Sequence, residues 1–386
     1  MAGDHARIAF HRPSIGGAEI RAVTAVLRSG WLTSGPEVER FEAEFAAAVG
    51  ARHAVAVNSG TAALHLALAA LGITAGDDVV VPTMSFAADA EVVLRLGARP
   101  VFADCDPRSL NLTPAAAAAA LTPRTRAIIA VHYAGLPCPV TELRALARRH
   151  ALALVEDAAH AFPARAGREW IGAGGAAVAF SFYASKNLTC GEGGMVTTPS
   201  ARLAARMRRL RLHGLSASAW ERRGLGPGYD IREPGYKYNL SDLAAALGRV
   251  QLARAAGLHT ARERLARRYH RALAAIPEIE LPPWIPAPSH AWHLYVIQLR
   301  LERLRGGRDA FLAALRRRGI EASVHYKPLH LHSFYRRVRG CRPADFPHAL
   351  AAYRRIISLP FYAGMPRRGA DQVIAALRDT CQELRR

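Results

Sequence analysis

The sequence predicts an α/β protein with a large domain over residues 1–253 and a smaller α+β domain over residues 254–386. From about residue 50, short apolar runs rich in β-branched residues alternate with longer Ala- and Leu-rich segments of helical spacing. This alternation is typical of a mostly parallel sheet that helices cover on both faces. Beyond Ala253 the pattern changes to a long helix, a proline-rich connector, one strand and a further helix. With 386 residues and 51% hydrophobic content, the chain is large enough to bury such a core.

The expected elements follow in order along the chain. Seven apolar runs of the large domain predict strands, at 53–58, 78–82, 99–104, 126–133, 151–157, 177–183 and 193–198. Helical segments between them begin near residues 61, 85, 113 and 140. Thr113 is the expected N-cap of the third, with Pro114 at its first position. Basic helical segments follow the last strand, and the smaller domain contains a strand over 293–299 and a helix over 308–319.

The formal net charge of +21 raises the question of a nucleic-acid partner, because basic stripes release counterions from phosphate backbones. The arginines lie in helical segments such as 201–214 and 262–273, on the face opposite the apolar residues, which is typical of solvated helix surfaces. No DNA- or RNA-binding motif accompanies them. We therefore expect no nucleic-acid partner, although the charge would help to attract an anionic small substrate.

The five cysteines are scattered, odd in number and without CxxC or Cys/His spacing, so neither a disulfide framework nor a zinc site is predicted. No apolar run resembles a signal peptide, and none approaches the roughly 18 residues of a membrane span. We expect a cytoplasmic protein without membrane contact.

Two strand ends carry groups that suit a bound phosphate. Gly60 turns the chain from a strand into a helix, so that Thr61 and Ala62 would present a hydroxyl and backbone N–H groups to an anion. Ser181 ends another apolar strand and adds a second hydroxyl. Taken alone, Thr61 is explained more simply as part of an ordinary capped helix.

Asp157 ends the apolar strand over 151–157. A buried carboxylate needs a partner, and the protonated pyridine nitrogen of pyridoxal would be one, because that contact keeps the ring electron-withdrawing. Capping of the next helix would explain Asp157 equally well. His160 would orient Asp157 or contact the ring, but an ordinary core histidine is an equal alternative.

Lys186 lies in the segment "SFYASKNLTCGEGG", in a chain whose basic residues are overwhelmingly arginine. A desolvated lysine loses its proton and forms a Schiff base, which arginine cannot do. The glycines that follow allow close backbone approach. A surface lysine in a turn is the simpler interpretation in isolation, but the phosphate groups and Asp157 together favour a cofactor-binding lysine.

With these residues, the chain resembles the sugar aminotransferases of the DegT/DnrJ/EryC1/StrS family, pyridoxal 5′-phosphate enzymes of fold type I with a mixed, mostly parallel sheet. The matching motifs span nearly the whole chain and include "NSGTAALHLAL", "GDDVVVPTMSFAADA", "GARPVFADCDP", "VEDAAHA", "FSFYASKNLTCGEGGMV", "GYKYNLSDLAAALGRVQL" and "VHYKPLH". Two of them, "GYKYNLSD" and "HAWHLYVIQL", are most similar to the branch that aminates a 4-keto sugar nucleotide.

The resemblance implies a role for each candidate residue. Lys186 would form the internal aldimine and act as general acid and base, while Asp157 would bind the pyridine nitrogen. The phosphate would be held by Thr61, Ala62 and Ser181.

Further roles follow from the same resemblance. Phe86 would lie against the ring face, with core packing as the alternative. Asn239 would reach the cofactor phosphate of the neighbouring subunit, which implies a homodimer with shared active sites. Substrate contacts are expected from a third group of residues: Tyr183, Lys237, His325 and Tyr326.

The implied reaction is amino transfer from L-glutamate, which leaves as 2-oxoglutarate, to a keto group of a nucleotide-linked sugar, with C4 expected. A 3-keto sugar nucleotide or a ketocyclitol is the alternative substrate. Related enzymes that dehydrate the sugar carry histidine at the lysine position, so Lys186 favours transamination. The segment Leu215–Pro234 is longer than expected and borders the active site in related enzymes. His293, His330 and His332 lack ligand spacing, and no metal is expected.

Overall fold

The computed structural model describes residues 7–217, 220 and 228–386. Its strands, in chain order, are β1 (His53–Val57), β2 (Asp78–Pro82), β3 (Arg99–Ala103), β4 (Thr125–Val131), β5 (Ala153–Asp157), β6 (Arg165–Ala166), β7 (Glu169–Trp170), β8 (Ala177–Ser181), β9 (Gly194–Thr198), β10 (Ile279–Glu280), β11 (Val296–Leu299) and β12 (Ile356–Ser358). Its α-helices are α1 (Gly17–Ser29), α2 (Pro36–Val49), α3 (Gly60–Leu71), α4 (Ala88–Arg95), α5 (Pro114–Ala119), α6 (Val140–Arg149), α7 (Ala201–Leu210), α8 (Asp242–Ala253), α9 (Ala255–Leu273), α10 (Gly307–Arg317), α11 (Ser333–Arg339), α12 (Pro347–Arg355) and α13 (Arg367–Leu384).

A seven-stranded sheet organises the first part of the chain, in the order β1-β9-β8-β5-β4-β2-β3. All its strands run parallel except β9, which is antiparallel to β1 and β8. One face packs on an apolar cluster that includes Phe41, Phe45 and Phe180, and the other on a cluster supplied largely by α3, α4 and α7. The predicted mixed, mostly parallel sheet between helices is confirmed.

The C-terminal part contains a three-stranded antiparallel sheet in the order β10-β11-β12, packed with α9, α10 and α13. The strand predicted over 293–299 is shorter than expected, since β11 begins at Val296. Residues near the N-terminus also join this part, because Ile8 bridges to Ile320 and packs in its core. The predicted domain boundary coincides with Arg254, the residue between α8 and α9. A division into 1–253 and 254–386 stays a prediction.

Local signals set the ends of the helices. Thr113 caps α5 as predicted, since its hydroxyl accepts a hydrogen bond from the Ala116 N–H (3.1 Å). In α3 the cap is Ser59, whose hydroxyl accepts from the Ala62 N–H (3.0 Å), so this helix begins at Gly60, one residue earlier than predicted. Serine is a favoured N-cap residue because it satisfies one of the free N–H groups of the first turn.

Several arginines of the basic helices pair with carboxylates. Arg208 of α7 and Arg211, which follows that helix directly, contact Glu42, while Arg206 and Arg209 of α7 contact Glu233. Part of the positive charge is therefore paired with neighbouring acids within the chain. Over the described ranges, no helix has the length and apolar character needed to cross a bilayer.

The long segment Leu215–Pro234 is described in part. Leu215 bridges to Ile231, and the Trp220 ring lies 5.1 Å from that of Trp31. Residues 218–219 and 221–227 of this segment lie outside the described residues.

Candidate active site

A cavity of about 430 Å³ opens where β5 and β8 end, beside the start of α3. Ligands of open α/β sheets gather at the carboxyl ends of the strands. Nine of the twelve predicted site residues line this cavity: Thr61, Phe86, Asp157, His160, Ser181, Tyr183, Lys186, His325 and Tyr326.

The start of α3 forms one wall of the cavity, through Ser59, Gly60 and Thr61. A Cβ atom placed on Gly60 would lie 2.7 Å from the Cβ of Ser181, so only glycine lets the helix come this close to the end of β8. Thr61 is exposed to the cavity, while Ala62 is buried and its N–H is held by the cap. The helix end and Ser181 together make a small, hydroxyl-lined anion cradle.

Lys186 lies in the turn that follows β8, where its backbone N–H donates to the Tyr183 carbonyl (2.8 Å). Its side chain reaches into the cavity among groups that exclude most water. This burial lowers the pKa of Lys186 from 10.5 to about 8, against the opposing effect of the Asp157 charge. About a tenth of Lys186 is therefore neutral and nucleophilic at pH 7, and about half at pH 8.

Asp157 ends β5 and faces the same cavity, with only 8% of its surface exposed. Its Oδ1 accepts a hydrogen bond from the Ala159 N–H (2.8 Å), which fixes its orientation. Burial raises the pKa of Asp157, and the charges of Lys186 and His132 act in the opposite direction. The carboxylate thus needs a cationic hydrogen-bond donor from the cavity side.

His160 and Tyr326 form the side of the cavity nearest the C-terminal sheet. The Tyr326 hydroxyl hydrogen-bonds to His160 Nε2 (3.0 Å), and the His160 ring lies 4.4 Å from the ring of His293. His293 in turn contacts the Asn187 side chain (3.1 Å), next to Lys186 in sequence. His160 therefore contacts Tyr326 and His293.

Within the described residues, we find no group of histidines, cysteines and acids that could hold a metal ion.

Phe86 is 58% exposed, so it is not a core residue; its ring lies 5.8 Å from Tyr326. Of the three predicted residues that do not line the cavity, Ala62 is buried in the first turn of α3 and the other two lie elsewhere. Asn239 donates to the Ser34 hydroxyl (2.9 Å) and lines a separate open cleft beside α8, whereas Lys237 is exposed.

Several lining or supporting residues were not predicted, among them Ser59, Ser85, Asp89 and Glu192. Ser59 could have been found as the residue before the glycine turn, because serine there is the usual helix cap. Glu192 lies inside the quoted glycine-rich motif and lines both the cavity and the cleft of Asn239. Ser85 and Asp89 gave no signal, since an acid in the first turn of a helix is ordinary.

Pyridoxal phosphate fits this arrangement on three counts. The anion cradle at α3 suits its phosphate, Lys186 can bond to its aldehyde carbon, and the Asp157 carboxylate faces the cavity, where it can accept a hydrogen bond from a pyridinium nitrogen. The fold and the site together define a pyridoxal-phosphate-dependent enzyme of fold type I.

Comparison with known proteins narrows this class. The model of the DegT/DnrJ/EryC1/StrS aminotransferase family matches residues 13–378. The spore coat polysaccharide biosynthesis protein SpsC of Bacillus subtilis (strain 168) is 46% identical over 373 residues, covering 96% of each chain. The PLP form of Spr1654 from Streptococcus pneumoniae is 29% identical, with a TM-score of 0.91 and 98% and 99% of the two chains covered.

PseC of Helicobacter pylori, an aminotransferase involved in the biosynthesis of pseudoaminic acid, is 28% identical, with a TM-score of 0.91 and 98% and 100% of the two chains covered. The chain therefore belongs to the DegT/DnrJ/EryC1/StrS family of pyridoxal-phosphate-dependent sugar aminotransferases.

Proposed function

We propose that this chain transfers an amino group from L-glutamate to the C4 keto group of a nucleotide-linked sugar. The observation that carries the proposal is the pairing of Lys186, with its lowered pKa, and buried Asp157 in one cavity beside the start of α3. The printed names of SpsC and PseC, which concern a polysaccharide and pseudoaminic acid, support a sugar substrate. The motif "GYKYNLSD" favours C4 over C3.

Each proposed role rests on the chemistry of the residue. Neutral Lys186 would bond to the cofactor and, once the amino donor has displaced it, would move a proton between the substrate carbon and the cofactor carbon. Asp157 holds a positive charge at the pyridine nitrogen. When bound, pyridoxal phosphate draws electrons away from the carbon that loses its proton. Thr61, Ser181 and the helix start hold its phosphate, with Ala62 contributing through the fold of the first turn.

The sugar end of the substrate would meet the outer part of the cavity. Tyr183 is 49% exposed there, and the His325 and Tyr326 side chains line the wall opposite α3. Lys237 and the net charge of +21 would favour the approach of a nucleotide diphosphate. The cavity volume of about 430 Å³ lies within the usual range of small-molecule sites.

A homodimer with shared sites belongs to the proposal. Helix α1 exposes Ile20 and Leu27, an apolar surface that is costly to leave in water. The open cleft lies beside this helix and has a volume of about 460 Å³; Asn239 lines it together with Val23 of α1 and other apolar residues. Because Glu192 lines both this cleft and the cavity, a second subunit seated here would bring its own Asn239 near the first subunit's cofactor site.

The first experiment is the visible absorbance spectrum of purified protein with pyridoxal phosphate, before and after L-glutamate. We expect an absorption band of lysine-bound cofactor that L-glutamate converts to the amine form. Borohydride reduction followed by peptide mapping then identifies the bonded residue among Lys186, Lys237 and Lys327, the three lysines of the chain. A label on Lys237 or Lys327, or its absence from all three, would contradict the assignment.

The acceptor is tested next, with enzyme whose cofactor L-glutamate has converted to the amine form. A 4-keto sugar nucleotide, a 3-keto sugar nucleotide and a ketocyclitol are added separately at equal concentration, and the return of the absorption band of lysine-bound cofactor is followed. The proposal predicts the highest kcat/KM for the 4-keto compound. Preference for either of the other two substrates would replace the C4 assignment and leave the aminotransferase chemistry intact.

A further inference from the structure

Asp89 is a fully buried acid that the chemistry above does not use. It lies in the first turn of α4 and has no exposed surface. The Ser85 hydroxyl donates to its Oδ2, while its Oδ1 finds no hydrogen-bond donor in the described structure. Within the described ranges, no arginine, lysine or histidine forms an ion pair with it. A buried carboxylate without a cation is strongly disfavoured, so the group has a reason to keep its proton.

The Asp89 carboxyl group interacts with that of Asp157, both through charge and through hydrogen bonding. Two acids that interact in a buried site do not both ionise, and one proton is shared between them. Burial and the charge of Asp157 raise the pKa of Asp89 well above its usual range.

The surroundings decide which of the two acids keeps the proton. Asp157 receives the Ala159 N–H and faces the charges of Lys186 and His132, which all favour its ionised form. On the Asp89 side the other titratable neighbours are the phenols of Tyr326 and Tyr335, which are neutral at ordinary pH. The proton therefore belongs on Asp89 and the negative charge on Asp157.

We propose that Asp89 is a positioning residue that stays protonated and donates a hydrogen bond to Asp157, keeping Asp157 ionised and turned toward the pyridine nitrogen. This inference rests on the proposed function, in which Asp157 binds the cofactor ring. A neutral donor stabilises the Asp157 anion without placing a second negative charge in the site. Ser85 fixes the donor by holding the other Asp89 oxygen.

The first test uses the protein without cofactor and measures its thermal midpoint against pH. An unfolded aspartate titrates near pH 3.9, whereas folded Asp89 keeps its proton to higher pH. Between these values the folded chain binds a proton that the unfolded chain has lost, so the free energy of unfolding falls as the pH rises. Asp89→Asn cannot titrate. We expect its midpoint to rise relative to wild type, by a few degrees, as the pH goes from about 5 to about 8.

Glu91→Gln is the matched control, because Glu91 lies on the same helix but is exposed. Its difference from wild type is expected to stay constant with pH. If the curves of Asp89→Asn and wild type run parallel, Asp89 does not hold the proton and the proposal is wrong.

The second test compares Asp89→Asn with Asp89→Ala in holoenzyme formation and turnover. Asparagine keeps the shape and a donor N–H, so pyridoxal phosphate affinity and kcat stay within about threefold of wild type. Alanine removes the donor and is expected to weaken cofactor binding and lower kcat by about tenfold or more.

Equal losses in both variants would overturn the inference, because a role in shape or in negative charge would not be rescued by asparagine. The proposed function and the proposed role of Asp89 can fail separately. If wild-type protein itself binds no pyridoxal phosphate, the proposed function fails, while the pH dependence of the cofactor-free midpoint still decides where the proton lies.

Discussion

Lys186 differs from the other two lysines of the chain in its surroundings. It is the one lysine of three that lines the cavity, whereas Lys237 and Lys327 are exposed. Burial favours the neutral amine, which lowers the pKa of Lys186 to about 8. The same burial that disfavours a charge therefore makes the residue a nucleophile close to physiological pH.

The rate of cofactor attachment is expected to report this pKa. Only the neutral amine attacks the aldehyde, so the rate rises tenfold per pH unit below a pKa of about 8 and levels off above it. Stopped-flow mixing of cofactor-free protein with pyridoxal phosphate across the pH range measures the profile. Lys186→Arg is expected to abolish attachment at every pH, and an inflection near 10.5, the ordinary lysine value, would contradict the role of burial.

Asp157 gives a second prediction at this scale. Asp157→Asn keeps the side-chain shape but cannot carry the negative charge that holds a pyridinium. We expect kcat to fall by about 10²- to 10³-fold, as for loss of other electrostatic groups in buried sites, with a smaller change in KM. Steady-state kinetics with L-glutamate as donor measure the effect. A kcat within a few-fold of wild type would mean that Asp157 only holds the turn after β5, through the Ala159 N–H; the helix that the sequence allowed it to cap is absent from the described structure, since β5 is followed by β6.

At the residue scale, a candidate site residue can be recognised from sequence where its type is chemically rare in its setting. A lysine among hydroxyls and glycines, or an acid at the end of an apolar strand, departs from the local pattern and can be recognised. Asp89 could not be, because an acid in the first turn of a helix is explained by the helix dipole alone. Its interaction with Asp157 connects α4 with the end of β5, two segments far apart in sequence, and no periodicity reveals such a connection.

At the scale of elements, the close contact between the start of α3 and the end of β8 forms the anion cradle described above, where we propose that the phosphate binds. Gly60→Ala places a methyl group 2.7 Å from the Cβ of Ser181, and the backbone must move to relieve the contact. We expect pyridoxal phosphate affinity to fall by about tenfold or more, since the N–H groups of the helix start would no longer point at the phosphate. Equilibrium dialysis and the thermal midpoint measure the two effects.

Gly257→Ala in α9 is the control for that change, because a methyl group there meets nothing within 4 Å. In an open helical position, alanine raises the free energy of unfolding by about 0.5–1 kcal/mol. Its cofactor affinity is expected to equal that of wild type. Should Gly60→Ala bind the cofactor as tightly as Gly257→Ala does, the close approach of α3 to β8 is not what forms the cradle.

Long strands were predicted from the sequence, whereas the shortest strands were missed. The seven strands of the main sheet were all expected from runs of apolar residues, because strands buried on both faces leave a strong signal. The pairs β6–β7 and β10–β11 were not foreseen as ladders. Strands of two residues, such as β6 and β10, carry no periodicity, and their pairing depends on contacts distant in sequence.

For the whole molecule, the site depends on contacts between segments far apart in the chain. Tyr326 reaches His160 from the C-terminal part, and His293 reaches Asn187. The sequence assigned His160 and Tyr326 to one site only through resemblance to a family, and it gave no site role to His293 or Asn187. Hydrophobic pattern and propensity describe neighbours in sequence, so they could not have brought these four residues together.

If each active site takes residues from both subunits, two inactive variants should restore activity in a mixed dimer, which is not expected if each site lies within one subunit. Lys186→Ala and Asn239→Ala would each reduce activity strongly in their own homodimers. In a mixed dimer, one site combines both substitutions, while the other combines wild-type Lys186 with wild-type Asn239 from the partner. Random reassociation of equal amounts makes half of the dimers mixed, so specific activity should return to about a quarter of the wild-type value.

The test requires unfolding and refolding the two variants together, or co-expressing them with different affinity tags and purifying the doubly tagged dimer. A control mixture of Lys186→Ala with Asp157→Asn should not recover, because both residues line the cavity of the same chain. In the described structure Asn239 donates to Ser34 of its own chain and lines the open cleft rather than the cavity. To act on the cofactor of its own subunit, the Asn239 side chain would have to move from this cleft into the cavity. If mixing Lys186→Ala with Asn239→Ala restores nothing while mixed dimers are present, Asn239 serves its own subunit and the sites are not shared.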